Sequence, residues 1–374
     1  MFPRLHTELV RAVAICELML EGWVEPPPAE VGGGCDLSTL TQQVVSVVAE
    51  TGSARADQLH ELLCQRGPFR DVEPALFARM LRRLAAEDVI EQTLQGELIL
   101  GLKGERLRKD KGFYAVFPTP ETYALLHEGQ HLGDITTVPR VGDHLAFGGR
   151  RWRAVLVDEE GRAVHVQPAR GYKRATFDGA RGEVHDAVVA RMRRIYESRE
   201  EPAYLDAEAR SLIASARVVA AEAGITRRRI VDFGGGRCAA LVWVGTRARL
   251  TLQAMLSVLG CEASDEEVAL ELPVAMSEAE RLLDRCAYGA FDPVSLAGQL
   301  GPAAPSRKYN ALLGPELVAE SLGRAWVDVA GAKLAASGRD VGAAGHAGWP
   351  SRVATVRASV PFSSMRWAKV CLKL

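Results

Sequence analysis

The chain has 374 residues, 48% of them hydrophobic and 25% charged, with a formal net charge of -1. This is ordinary globular material, enough for two or three domains, and it excludes a polybasic protein whose whole-chain field draws in nucleic acid or a membrane. The seven cysteines (Cys16, Cys35, Cys64, Cys238, Cys261, Cys286, Cys371) are scattered, odd in number and free of any CxxC pair. Reduced thiols acting as small buried hydrophobes are therefore expected, rather than a disulfide framework or a zinc site. No basic segment with a cleavable apolar core opens the chain, and no apolar run approaches the roughly 20 residues of a membrane span. A cytoplasmic protein with no membrane partner is expected.

In RLHTELVRAVAICELMLEG, residues 4–22, Leu5, Leu9, Val13, Cys16 and Leu20 recur at helical spacing, and Gly22 followed by Pro26, Pro27 and Pro28 ends the helix. A short, one-sided helix needs a neighbour. Because it starts almost at Met1, residues 1–36 read as a connector whose apolar face belongs to a part outside this chain. Three helices follow. The first runs from a cap at Ser38-Thr39 to Glu50, the second is ARADQLHELLC, and the third is EPALFARMLRRLAAEDV with Pro74 in its first turn. IEQTLQGELILGL then reads as a hairpin around Gln95-Gly96. Three helices and a hairpin are the order of a winged helix-turn-helix over residues 37–110. Its third helix carries Arg79, Arg82 and Arg83, which are set either to read a DNA groove or to serve in a structural brace.

Residues 111–180 read as short strands with Gly-containing turns (FYAVF, YALLHEGQHLGDI, HLAFGGRRWRAVLV, AVHVQPA), which predicts a small β-barrel. Residues 181–336 alternate helices and strands and predict an α/β module. The fold class is thus α+β multidomain: winged helix, small β-barrel, α/β module. The Gly-, Ala- and Ser-rich residues 337–374 are expected to form a poorly ordered tail.

The run AVLVDEE, residues 154–160, resembles the magnesium-binding strand of an ATPase. That role requires a phosphate loop of the form G-x-x-x-x-G-K-[ST], and the chain has none. DFGGGRCAALVWV continues as a strand where a phosphate loop opens a helix, so it reads as a strand-to-strand turn. Gly161 restarts an alternating strand after Asp158-Glu159-Glu160, which makes the acidic run a hairpin tip with Gly161 available for a left-handed position. The eight histidines form no HExxH, and no G-x-S-x-G occurs. The chain is not expected to be an enzyme on its own.

Positive charge is concentrated in residues 145–195, which carry net +5. Within them Arg150, Arg151, Arg170, Lys173 and Arg174 are interleaved with Trp152, Tyr172 and Phe177. Cations tracking phosphates and rings stacking on bases are the two components of sequence-tolerant single-strand binding. The loop RGYKRATFDGARG, residues 170–182, is the sharpest candidate. Trp152, in a strand, has a core role open to it as well as a stacking one. Tyr172 and Phe177 divide between packing and stacking, and Arg191, Arg193 and Arg194 suit a solvated helix face.

The succession LVRAVAICELMLEGWVEPP, LSTLTQQVVSVVAETG, GGRRWRAVLVDEEGRAVHVQPARG, FDGARGEVHD and KYNALLGPELVAESLGRAWVDVAGA resembles the C-terminal half of Lhr-type large DEAD/DEAH-box superfamily 2 helicases, from about Leu5 to about Ala336. In that family a winged helix and a barrel-containing domain follow two RecA-like motor domains. The resemblance implies a 3′-to-5′, ATP-driven translocase on single-stranded DNA, with these accessory domains as one wall of the strand's channel. It matches Phe177 to the aromatic residue that stacks on a base, with Trp152 second. The motor domains are absent from the sequence, so ATP and magnesium are expected to be used there and no cofactor is expected in this chain. The expected partners are single-stranded DNA and a separate RecA-like motor subunit, and the chain is expected to be a truncated or split product. A protein-interaction scaffold that touches no DNA, or a helicase remnant without function, are the other readings.

Overall fold

The computed structural model describes residues 1–26, 35–116, 122–135, 138–148, 150–159, 161–169, 182–301 and 304–338. The expected tail falls outside these from residue 339 onward. The protein is mixed α+β with several sheets.

Helix α1, Thr7–Leu20, buries Val10, Val13, Ala14 and Leu18, with Leu5 in the turn before it. Its cover comes from this chain. Val188, Val189, Met192, Ile195 and Tyr196 of α6 (Asp186–Glu197) and Ile213, Ala216, Val219 and Ala220 of α7 (Ala207–Ala223) complete the same apolar core. The Tyr196 hydroxyl donates to the Leu5 carbonyl at 2.8 Å, Arg191 bridges Glu17 (3.1 Å) and Glu21 (2.6 Å), and Arg11 pairs with the buried Glu267 at 2.6 Å. One face of α1 is thus covered by this chain, and it is rotated from the face read in the sequence, since Cys16 and Leu20, with Ile15 and Met19, are exposed.

Helices α2 (Leu37–Thr51), α3 (Ala56–His60, continuing into a π turn Glu61–Gln65) and α4 (Pro74–Ala86) share a second core with the two-stranded sheet β1 (Ile90–Gln92) and β2 (Leu98–Leu100). The cap of α2 is Asp36, whose carboxylate accepts from the Thr39 amide at 3.1 Å. Ser38, expected as part of that cap, is buried and accepts from the Tyr309 amide. Helix α5, Leu102–Lys109, follows the sheet. Residues 113–116 are not the expected strand: Lys111–Tyr114 is a 3₁₀ turn, because the carbonyls of Gly112, Phe113 and Ala115 accept from Lys308, Tyr309 and Gln42 rather than from a neighbouring strand.

Strands β3 (Tyr123–His127), β4 (Gln130–Ile135), β5 (His144–Phe147), β6 (Arg150–Asp158) and β7 (Ala163–Pro168) form one sheet in the order β4-β3-β7-β6-β5. Only β3 and β7 pair in parallel. The acidic run is indeed a hairpin tip. Asp158 pairs with Ala163 across the β6–β7 turn, and its carboxylate accepts from the Gly161 amide at 2.9 Å. Among the described residues of the turn, Arg162 (φ 47°) rather than Gly161 is left-handed.

Strands β8 (Ile230–Gly234), β9 (Arg237–Leu241), β10 (Ser264–Asp265) and β11 (Ala269–Leu272) form a four-stranded sheet in the order β10-β11-β9-β8, antiparallel throughout. The expected α/β module is thus α+β in build. Val231, Ala239, Leu241 and Ala269 face the core made with α1, α6 and α7. Ile230, Cys238, Ala240 and Leu270 face a layer made by α8 (Thr246–Val258), α9 (Met276–Tyr288), α10 (Pro293–Gln299) and α12 (Val329–Ala336). A sheet covered on both faces reads as an unbroken apolar run, which is why CAAL lacks alternation. The GGG stretch turns β8 into β9. Gly235 and Gly236, φ 63° and 75°, form the two-residue loop between paired Gly234 and Arg237, a conformation that twists with the strands and excludes side chains.

Helix α11, Asn310–Ala325, joins the first and last parts of the chain. Its axis breaks at Gly314 (φ 75°), just before Pro315. Leu312, Leu313 and Leu317 enter the core of α2 to α4, while Leu322 and the following Trp326 enter the core under the four-stranded sheet.

Leu5→Ala, at a fully buried position tying α1 to α6, is expected to lower stability by about 2–5 kcal/mol in guanidinium unfolding followed by circular dichroism. A change under about 0.5 kcal/mol would mean that α1 is not docked on its own chain. Burial pushes the thiols of Cys35, Cys64 and Cys238 up to about 11 and that of Cys286 up to about 12, whereas Cys16 is exposed. In a Cys371→Ser background at neutral pH, a disulfide reagent should label Cys16 rapidly and the other cysteines only after denaturation.

Candidate nucleic-acid interface

Strand alternation sorts the residues of β6. Trp152 and Ala154 point into the small core under the five-stranded sheet, with Leu125, Val164 and Val166, while Arg150, Arg151 and Arg153 are exposed. Trp152 is 5% exposed, its indole N–H donates to the Phe147 carbonyl at 3.1 Å, and its ring lies 5.0 Å from that of His127. As packed it offers no face to a base. The expectation that it stacks is corrected in favour of the core role, because an aromatic at an inward strand position gains more from burial than from exposure.

The outward residues are cationic. Arg153 stands between His144 on β5 and Gln167 on β7 in register, with Arg151 two residues away on the same face. Neither Arg150 nor Arg153 reaches a carboxylate among the described residues. Past Ala154 the pairing register shifts, so that Val157 packs inward and Leu156 is left 53% exposed. The outer surface of β6 therefore runs from guanidinium groups at one end to an aliphatic patch at the other.

Arg170, Tyr172, Lys173, Arg174 and Phe177 lie outside the described residues. The backbone on either side of them is held. The Ala169 amide donates to the Arg151 carbonyl at 3.0 Å, and the Val184 amide donates to the Thr246 hydroxyl at 2.9 Å. Thr246 opens α8, and the Gly245 amide before it donates to the Asp186 carboxylate at 2.6 Å. The basic segment thus leaves from the edge of the Arg150–Arg153 surface and returns at the start of a buried helix.

Other arginines singled out in the sequence hold the fold. Arg191 is no solvated cation: its side chain is 12% exposed, and hydrogen bonding to Arg191 keeps the Glu21 carboxyl below its usual range. Arg193 donates to the Thr226 carbonyl at 2.5 Å. On α4, Arg79 pairs with Glu320 of α11 at 2.7 Å and Arg83 pairs with Glu87 at 2.5 Å beside Gly314, so the side of the helix expected to read a groove is turned onto another helix. Arg82 of that trio is exposed and has no partner among the described residues. Sequence reasoning passed over Arg153 as a site residue, although period-two alternation around Trp152 marks it as outward-facing. The tilted contact between the His127 and Trp152 rings joins strands far apart in sequence and leaves no local signal. Among the described residues no group of His, Cys, Asp and Glu could hold a metal ion, and no helix is long and apolar enough to cross a membrane.

No family model, no curated protein and no solved structure matches the chain.

Trp152→Phe removes the donor to the part-buried Phe147 carbonyl and is expected to cost about 0.5–1.5 kcal/mol in stability while leaving the exposed arginines in place. Chemical unfolding measures the first effect. Single-strand affinity of the folded variant, unchanged if Trp152 is purely structural, measures the second.

Proposed function

We propose that the chain binds single-stranded DNA as the non-motor, C-terminal part of an Lhr-like ATP-dependent helicase, forming one wall of the strand's channel. The observation that carries this reading is the outward cationic surface of β6, beside which the chain runs after β7, with the Ala169 amide donating to the Arg151 carbonyl, immediately before the basic, aromatic-containing sequence 170–181. Guanidinium groups there meet phosphates while Phe177 stacks on a base, with Tyr172, Lys173, Arg174 and Arg170 beside it.

In the same reading, α2 to α4 with β1 and β2 are a winged helix, and the five-stranded sheet is a small barrel. The pairing of Arg79 with Glu320 favours a winged helix that braces α11 over one that reads a groove. ATP, magnesium and the chemistry of hydrolysis belong to RecA-like motor domains, supplied as another part or subunit of the assembly, in the cytoplasm. This chain contributes strand binding.

Fluorescence anisotropy with a single-stranded oligonucleotide at two salt concentrations, repeated with duplex, tests the proposal. Binding should favour the single strand and weaken with salt, and Arg153→Ala should reduce the slope of log affinity against log salt by about 0.7. Phe177→Ala should cost about 1–3 kcal/mol without altering the slope. No binding at low salt would leave the scaffold reading in place.

A further inference from the structure

A second surface sets cations that reach no carboxylate among the described residues beside an exposed ring, and it lies on the three-helix part rather than on the five-stranded sheet. The stretch KGERLRKDK, residues 103–111, carries net +3 along α5 and the turn after it. Two of its cations are engaged: Lys103 pairs with Glu87 at 2.7 Å and Arg108 with Glu105 at 3.1 Å. Arg106, Lys109 and Lys111 are exposed and reach no carboxylate among the described residues.

The aromatic pair that follows is split. Phe113 is 4% exposed within the core of α2 to α4, whereas Tyr114 is 83% exposed, its ring 5.9 Å from that of Phe113 in an edge-on arrangement. The backbone presenting Tyr114 is unusually well held for a surface turn. Asp110 accepts from the Gly112 amide at 2.8 Å, and the Lys308 ammonium donates to the carbonyls of Gly112 and Ala115 on either side of the tyrosine. The Phe113 carbonyl accepts from Tyr309 at 3.0 Å and Gln42 at 3.4 Å. Beside the turn, Arg307 and Lys308 line an open cleft of about 600 Å³ that reaches Asn310, the first residue of α11. Arg307 stands 4.0 Å from its closest carboxylate, Asp36, and is 39% exposed.

We infer that this surface is a further contact for single-stranded nucleic acid, with Tyr114 stacking on a base and Arg106, Lys109, Lys111 and Arg307 meeting the phosphates around it. An acidic protein segment would satisfy the cations but would not account for a ring presented almost free on a turn with its carbonyls already engaged. A pre-ordered ring loses little freedom on stacking, which suits a sequence-tolerant contact. The inference rests on the proposed single-strand binding and adds to the β6 surface a second point through which one strand is held.

The test uses the full chain and a long fluorescent dT oligonucleotide. Tyr114→Ala should weaken binding on the order of 5- to 150-fold, the range supplied by one stacked base, and Tyr114→Phe should restore it. Lys109→Ala combined with Lys111→Ala should lower the salt slope by roughly 1.4. Because Tyr114 is exposed, its thermal midpoint should match that of the parent, which separates lost contact from lost fold. Unchanged affinity in Tyr114→Ala, with Arg150→Ala and Arg153→Ala still weakening binding, overturns this inference and leaves the proposed function standing. Tyr114→Phe as weak as Tyr114→Ala also overturns it, since the role would then lie with the hydroxyl. A parent chain that binds no single strand at low salt overturns both.

Discussion

The apolar burial of α11 in two cores at once is the constraint on which the rest depends. Leu312, Leu313 and Leu317 belong to the core of α2 to α4, and Leu322 with Trp326 belongs to the core under the four-stranded sheet. One continuous straight helix does not serve both. The break at Gly314, whose positive φ disfavours any side chain, redirects the axis, and Pro315 starts the second segment where its missing amide costs least. Ser321 reinforces the closure inside the core, accepting from the Leu37 amide at 3.1 Å and donating to the Cys35 carbonyl at 2.9 Å. Residues nearly 300 positions apart in sequence are thereby held in one hydrogen-bond network, and the turn bearing Tyr114 inherits its rigidity from Lys308 and Tyr309 just ahead of the same helix.

That closure also divides the arginines into two populations. Arg79 and Arg83 lie against α11, Arg191 is shared by Glu17 of α1 and Glu21 just after it, and Arg249 is buried with both its Nε and an Nη on Asp265. Removing Asp265 would leave the buried Arg249 an uncompensated charge, a loss that typically costs about 3–5 kcal/mol, whereas the half-exposed pairs of Arg79 and Arg83 are screened by solvent and contribute about 1 kcal/mol or less each. Arg150 and Arg153 of β6, and Arg106, Lys109 and Lys111 near Tyr114, reach no carboxylate among the described residues. A near-neutral chain can in this way present local positive surfaces without a large whole-molecule field.

Much of the local structure was legible because its causes are local. The absence of a phosphate loop, the hairpin tip after Asp158, the glycine turn at 234–236 and the order of three helices before a two-stranded sheet all follow from turn chemistry and periodicity. The candidate site was legible in part. Arg150 and Arg151 stand exposed as read, and Arg153 could have been added from strand alternation. The stretch KGERLRKDKGFY shows the same mixture of cations and rings as residues 150–177, but nothing local indicates which ring of Phe113-Tyr114 is buried.

By itself the sequence determined the mixed α+β character, the run of cations between residues 145 and 195, the turns, and the absence of a G-x-x-x-x-G-K-[ST] motif, since each depends on residue type and spacing within a few positions. Only the tertiary structure decided that α1 is covered by α6 and α7, that Trp152 is core, that the sheet of residues 230–272 is antiparallel, and which cations remain without partners. Those outcomes depend on contacts between segments far apart in the chain, where burial and charge pairing choose among faces that local periodicity leaves equivalent.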